Sequence, residues 1–398
     1  MSSPLLILGT GEDQLPVYRE ATRRGLRTIG VDRSSSGPGG PVADEFLQIS
    51  THDGEAIAAA LAGRTIAGVA TAASDACLAS VVTLTERFGV RRWLSATAAA
   101  ASMDKALFRR MMADAGIGGP AWVAGDDAGY LIAAAGRLRL PVVTKPVDAS
   151  GSHGAGLVTT PAELPDAIHV AVDASPTGTA IVEEFIAGRN LTVELFLLDG
   201  RIRLCVISEK QLSGSGFVIA GHCCPAELSA LARQRLVAAS AAVAKAMEVC
   251  DGPLNLDFIL TPGGEPIVLE AGARLCGNGF PLLVKAMRGV DTVRALVSLS
   301  LGEPVDLEPA MDRFGLLQVI ASPLAEPATL VSVNGVAVAR ELPGVAFAEV
   351  YPQPGDVIHP FTRSGHKLGY VGVAGDTAAA ADQTLRAALA LIEIDLAP

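Results

Sequence analysis

Between Leu254 and Ala271 two runs of alternating apolar residues flank Pro262-Gly263-Gly264. That pattern predicts an antiparallel hairpin. Side chains on a strand point to opposite faces in turn, so only one register keeps the apolar set together. With the turn centred on Gly263-Gly264, Asp257 stands opposite Glu270 and Asn255 opposite Gly272. One face then carries Leu256, Phe258 and Leu260 beside Ile267, Leu269 and Ala271, which belongs to a core. The other carries Asn255, Asp257 and Glu270. Two like charges directly opposite repel. A divalent cation bound by hard oxygens, Mg²⁺ above all, answers that repulsion. A solvated face with Asp257 and Glu270 paired to cations such as Arg274 answers it too, and both readings stay open here.

A second segment also points to charge. Val142-Val143-Thr144-Lys145-Pro146 reads as a strand running into Ser150-Gly151-Ser152-His153-Gly154. Glycine lets backbone N–H groups approach phosphate oxygens, and the lysine adds a point charge. The alternative is a surface hairpin. It is not a Walker A loop, since no G-x-x-x-x-G-K-[ST] occurs. His153 reads as a phosphate neighbour or a bystander rather than a general base.

The first hundred residues alternate strand and helix signals: Leu5–Leu8, a helix from Gln14 to Arg24, a strand from Arg27 to Val31 ending at Asp32, then further units to Phe88. They predict a small parallel α/β domain. Gly9-x-Gly11 with Asp32 suggests a nicotinamide site, but Gln14 stands where the third glycine of that fingerprint belongs. A tight turn is the better reading. Ser102 is expected to cap a helix over Met103–Ala115, Asp199-Gly200 to turn a hairpin, and Leu228–Met247 to form a long helix.

The composition excludes several classes. The chain has 398 residues, enough for two or three domains, and half are hydrophobic. A net charge of −11 without a Lys/Arg cluster argues against nucleic acid. No apolar stretch is long enough to span a membrane, and the N-terminus does not read as a signal peptide. Six scattered cysteines without C-x-x-C spacing fit reduced thiols in a cytoplasm. His222-Cys223-Cys224 resembles a zinc cluster, yet chain neighbours rarely face one site, so buried thiols are preferred.

Taken in chain order, these pieces resemble an ATP-grasp ligase. Asp104-Lys105 opens a helix, and Lys145-Pro146 follows with its glycine loop. Glu183-Glu184-Phe185-Ile186-Ala187-Gly188 is similar to the family's hinge strand. Asn255-Leu256-Asp257 and Leu269-Glu270-Ala271-Gly272-Ala273-Arg274 resemble its metal hairpin. The stretch from Ile207 to Lys210, with Gly221-His222 and Pro225-Ala226-Glu227-Leu228, further resembles carboxylate–amine ligases of the L-amino-acid ligase kind. The resemblance implies an α/β and α+β protein with an ATP-grasp fold. A Rossmann-like domain would cover residues 1–100, the ATP-grasp domain 101–305 and an α+β cap 306–398. It implies an ADP-forming ligase that joins a small-molecule carboxylate and an amine through an acyl phosphate, with an amino acid as at least one substrate and a homodimer by analogy.

The same resemblance implies roles. Lys105 and Lys145 would hold the ATP phosphates, and Ser150, Gly151, Ser152, His153 and Gly154 would close over them. Glu183 would bond the adenine amino group, and the backbone of Glu184, Phe185 and Ile186 would meet the ring edge. Asp257 and Glu270 would ligate one or two Mg²⁺ (or Mn²⁺), and Arg274 would stabilise the transferring phosphoryl group. Two positions depart from the family. Asn190 stands where relatives carry a carboxylate for the ribose, and Gly272 where they carry a metal-binding Asn. Asn255, opposite Gly272, is expected to supply the missing oxygen. Substrates are expected to meet loops of the first domain, the Ser208–His222 segment and Arg363, His366 or Lys367, which read equally well as solvated surface. Three alternatives remain: a purine-pathway carboxylase or formate-dependent transferase, a Rossmann NAD(P) oxidoreductase, and a nucleotide-binding regulator without catalysis. Retained Lys145, Asp257, Glu270 and Arg274 argue against the last.

Overall fold

The computed structural model describes residues 3–149, 151–214 and 217–397. Strands β1 (Leu5–Leu8), β2 (Thr28–Asp32), β3 (Glu45–Gln48) and β4 (Gly68–Ala70) form a parallel sheet in the order β3-β2-β1-β4. β1 is buried throughout, as a strand covered on both faces must be. The carboxyl ends of these strands share one edge, which leads into Gly9–Gly11, Asp32, His52 and Asp75. The first turn is filled by the protein itself. Thr10 donates its N–H to Asp32 Oδ2 at 3.0 Å and its Oγ1 proton to the same oxygen at 3.2 Å. Gln14 lies across the glycines, so a Cβ on Gly9 would meet Gln14 Cδ at 3.0 Å. The tight-turn reading describes this segment. A dinucleotide reading does not, because a side chain of the chain occupies the space a pyrophosphate needs.

A second sheet, β5 (Trp122–Gly125), β6 (Val142–Pro146), β7 (Gly156–Val158) and β8 (Ala180–Glu184), is antiparallel in the order β5-β8-β6-β7. Helices Ala128–Ala135 and Leu164–Asp173 close its core with Leu131, Ile168 and Ala171 against Val142 and Val182. The remaining strands are β9 (Arg189–Leu198), β10 (Arg201–Leu212), β11 (Ile219–Cys224), β12 (Gly252–Leu260), β13 (Pro266–Gly272), β14 (Phe314–Ala321), β15 (Ala328–Asn334), β16 (Val345–Val350), β17 (Val357–Ile358), β18 (Lys367–Gly375) and β19 (Glu393–Ala397). Eight of them build one sheet, β13-β12-β9-β10-β11-β14-β18-β16, and the other three a small one, β17-β15-β19. The C-terminal segment is therefore joined to the middle of the chain by the β11–β14 ladder. Asp199 and Gly200 turn β9 into β10 with φ of 51° and 70°, the left-handed pair that a two-residue hairpin requires.

Two local expectations are corrected. The helix expected over Met103–Ala115 runs from Lys105 to Asp114, and Ser102 lies in a separate helix before it, Ala96–Met103. Asp104 breaks them, because its carboxylate accepts from the N–H groups of Ala106 and Leu107. Ser102 instead accepts from the Ala273 N–H, tying the first helix to β13. The β12–β13 hairpin has the expected pairs Asn255–Gly272 and Asp257–Glu270, but Phe258 faces Val268. A bulge at Leu269 sends Val268 to the core and turns Leu269 toward a cavity.

Candidate nucleotide and substrate site

Between the second sheet and the eight-stranded one lies a cavity of about 460 Å³. Lys145 projects from β6 and Lys105 from the first turn of its helix, where the Asp104 cap fixes it. The Lys105 ammonium donates to the Ala149 carbonyl at 2.6 Å, and that of Lys145 pairs with Glu183 at 2.7 Å. Glu183 is 3% exposed and gives its other oxygen to Arg109. Burial pushes the Glu183 carboxyl up, but Lys145 and Arg109 outweigh it and hold the group below its ordinary value. In this structure Glu183 neutralises and orients Lys145. Gly151, Ser152 and His153 line the same cavity, as do Glu184, Phe185, Ile186 and Asn190. The N–H groups of Glu184 and Phe185 donate to the carbonyls of Ala121 and Pro141, so these two donors are already engaged within the protein. Ser150 lies outside the described residues. Gly154 backs the loop instead of lining the cavity, since a Cβ there would lie 2.5 Å from Ala174 Cβ. The loop is tied down across the cleft. Ser152 donates to the Phe217 carbonyl at 2.9 Å, and the Ser364 N–H donates to Gly151 at 3.3 Å.

Asp257 and Glu270 share the cavity floor. Asp257 pairs with Lys210 at 2.7 Å and accepts from Thr192 at 3.2 Å, so its cation is Lys210 and not Arg274. Glu270 faces the open cleft. The walls around it disfavour its charge, yet Lys105, Lys145, Lys210 and Arg274 together hold its carboxyl down at about 2. Such a ring of cations suits a polyanionic tail. Asn255 is 8% exposed and fully engaged: it donates to Glu194 and accepts from Arg274, both at 3.1 Å. Its oxygen is thus turned toward Arg274 and away from the role of third metal ligand. Among the described residues no cluster of three or more His, Cys, Asp or Glu side chains stands ready for a metal. His222, buried against Phe280 and bonded to Ser208, is held neutral by burial and by Lys210, its value lowered to about 3.

Residues 138–281 match the ATP-grasp domain family. This chain carries an ATP-grasp domain. Residues 323–397 match L-amino acid ligase C-terminal domain 2. An uncharacterised protein of Sinorhizobium fredii is 26% identical over 302 residues, covering 74% of this chain and 61% of that protein. A D-alanine–D-alanine ligase of Geobacter sulfurreducens is 34% identical over 140 residues, 33% of this chain and 42% of the ligase. The chain therefore spans less than two thirds of the length of either relative. In fold it is similar to an L-amino acid ligase from Bacillus licheniformis, with a TM-score of 0.81 and 19% identity over 99% of this chain and 98% of that one.

A second cavity of about 400 Å³ adjoins the ATP-grasp cavity and shares Lys105, Ala149, Gly151 and Glu270 with it. Asn255 and Arg274 belong to this second space. Burial disfavours the Arg274 charge, but Asp75 outweighs it and holds the guanidinium firmly cationic. Three side chains in and around the two cavities make contacts that the sequence motifs do not assign. Lys210 falls in the Ser208–His222 segment expected to meet substrates, but its pairing with Asp257 was not expected. Asp75 is one of many loop carboxylates. Arg109 is buried on the apolar side of its helix, beside Phe108 and Met112. It bonds the carbonyls of Val268 at 2.8 Å and Leu269 at 2.6 Å, the two freed by the bulge, so one guanidinium holds both the bulge and Glu183. A cation on the buried stripe of an amphipathic helix was the available signal. Cys276 is buried, and burial and the neighbouring Glu194 push its thiol well above its ordinary value. No helix among the described residues is long and apolar enough to cross a membrane.

Proposed function

We propose that this chain is an ADP-forming carboxylate–amine ligase that phosphorylates a carboxylate with ATP and passes the acyl group to an amine, with an amino acid as at least one substrate. The observation that carries the reading is the pair of joined cavities. One is ringed by Lys105, Lys145 and Lys210, and the other holds Arg274, with Glu270 and Lys105 at their common wall. A carboxylate needs a leaving group before an amine can displace it, and phosphoryl transfer needs positioning and charge neutralisation more than a protein nucleophile. Lys105 and Lys145 would hold the phosphates, and Arg274 would steady the carboxylate and the acyl phosphate. The loop at Gly151–Gly154, already pinned to Phe217 and Ser364, would keep water from that intermediate.

Asp257 and Glu270 offer two hard carboxylates at the cavity floor, which fits Mg²⁺ when phosphate and water oxygens complete its shell. When bound, the ion would neutralise phosphate charge. The match of residues 323–397 to the L-amino acid ligase C-terminal domain supports an amino acid substrate. The test is a hydroxylamine trap with ATP, Mg²⁺ and a panel of carboxylates. Hydroxamate with stoichiometric ADP is expected. AMP and pyrophosphate would mark an adenylating enzyme and end the proposal. Turnover confined to bicarbonate or formate with a ribonucleotide would move the chain to the purine-pathway reading.

A further inference from the structure

The wall of the second cavity places an anion against a cation. Arg274 Nη2 lies 3.0 Å from Asp75 Oδ2, and the two side chains come from different units. Asp75 follows β4 at the carboxyl edge of the parallel sheet, the edge at which open α/β sheets bind ligands. It reaches Arg274 because residue 272 is glycine. A Cβ there would lie 2.5 Å from Asp75 Oδ1 and 3.0 Å from Arg274 Cζ. Asp75 Oδ1 and Arg274 Nε are both buried without a hydrogen-bond partner, so this pair keeps one acceptor and one donor unused. Such groups are costly unless something satisfies them. Much of the remaining wall is apolar, with Ala76, Ala101, Met103, Val147 and Pro176.

Resting on the ligase reading above, we propose that Asp75 is a specificity-determining residue that selects a zwitterionic α-amino acid with an apolar side chain as the carboxylate substrate. Its ammonium meets Asp75, and its carboxylate meets Arg274 beside Lys105 and Glu270. A zwitterion brings one charge of each sign, so it can part the ion pair and leave neither partner alone. A plain carboxylate draws Arg274 away and strands Asp75 in a walled pocket, which disfavours it. The absent side chain at 272 is then a requirement of substrate choice, because any larger residue displaces Asp75.

The experiment compares wild type, Asp75→Asn and Gly272→Ala. ADP release is measured with leucine, valine, methionine and phenylalanine and with the same acids lacking the amino group. Wild type is expected to use the amino acids and to neglect their deaminated partners. Asp75→Asn should raise KM for the amino acids roughly tenfold or more, with kcat moving less, and close the gap between the two series. Gly272→Ala keeps the carboxylate but pushes it aside, and should close the same gap. Binding of a non-hydrolysable ATP analogue by all three proteins, read by calorimetry, reports an intact first cavity. An unchanged preference in both variants overturns the proposal, as does equal use of both series by wild type or use of polar amino acids alone. If no carboxylate releases ADP, yet leucine binds wild type and not Asp75→Asn, the ligase reading falls and the zwitterion site stands. Absence of amino acid binding to wild type removes both.

Discussion

Two glycine turns, Gly9–Gly11 and Gly151–Gly154, look alike in sequence and end with opposite contents. Each follows a strand, and each has glycine at positive φ: Gly9 in the first, Gly151 and Gly154 in the second. In the first, Gln14 and the Thr10–Asp32 bonds fill the space that the missing side chains leave. In the second, Gly151 and Ser152 face a cavity with three lysines on its walls. The glycines make close approach possible, and the neighbouring side chains decide what approaches. A glycine motif therefore has a functional meaning only with the charges around it.

The contrast can be broken most forcefully at Lys145. Lys145→Ala should lower ADP formation by roughly 10²–10³-fold while the circular dichroism spectrum stays the same. Persistent turnover would make the second turn as empty of ligand as the first. Arg109→Met should cost about 3 kcal/mol in urea denaturation, because the buried Glu183 loses one of its two cations and the bulge carbonyls lose their donor. Gly9→Ala and Gly154→Ala should each cost about 1–3 kcal/mol, since both sites have positive φ and crowded surroundings. Only Gly154→Ala is expected to raise KM for ATP, and a matching rise in Gly9→Ala would erase the distinction. The smallest effect is a pH dependence. Glu183 sits below its ordinary value of 4.5, so folding favours its ionised form. That stabilisation is complete above 4.5 and is lost as the pH falls through the lowered value. The stability gap between wild type and Glu183→Gln should therefore shrink on acidification, and a gap that widens toward acid would contradict the pairing.

The pairs from Asn255–Gly272 to Asp257–Glu270 were legible from alternation and a glycine turn, whereas beyond them the expected core residues Ile267 and Leu269 give way to Val268. The bulge at Leu269 was not legible, since one extra residue changes neither composition nor the pairs nearer the site. The ring of Lys105, Lys145 and the two carboxylates was readable through spacing and resemblance, yet Lys210, Arg109 and Asp75 depend on contacts between segments far apart in the chain. Asn255 was placed correctly opposite Gly272, but sequence alone could not show that Glu194 and Arg274 take its amide. The Asp104 break was hidden by a helical pattern that runs through it.

The shared sheet has a consequence for how this protein can be cut and how its parts are held. β14 pairs along β11, and β18 and β16 continue outward from it. Removing the chain from β14 onward would unzip a ladder and leave β11 as a raw edge inviting other strands. The C-terminal segment is therefore no detachable lid. Among the described residues the sheet β5-β8-β6-β7, whose strand β6 leads into the Gly151–Gly154 loop, shares no ladder with the eight-stranded sheet, so the two walls of the nucleotide cavity are held together by side chains and loop contacts alone.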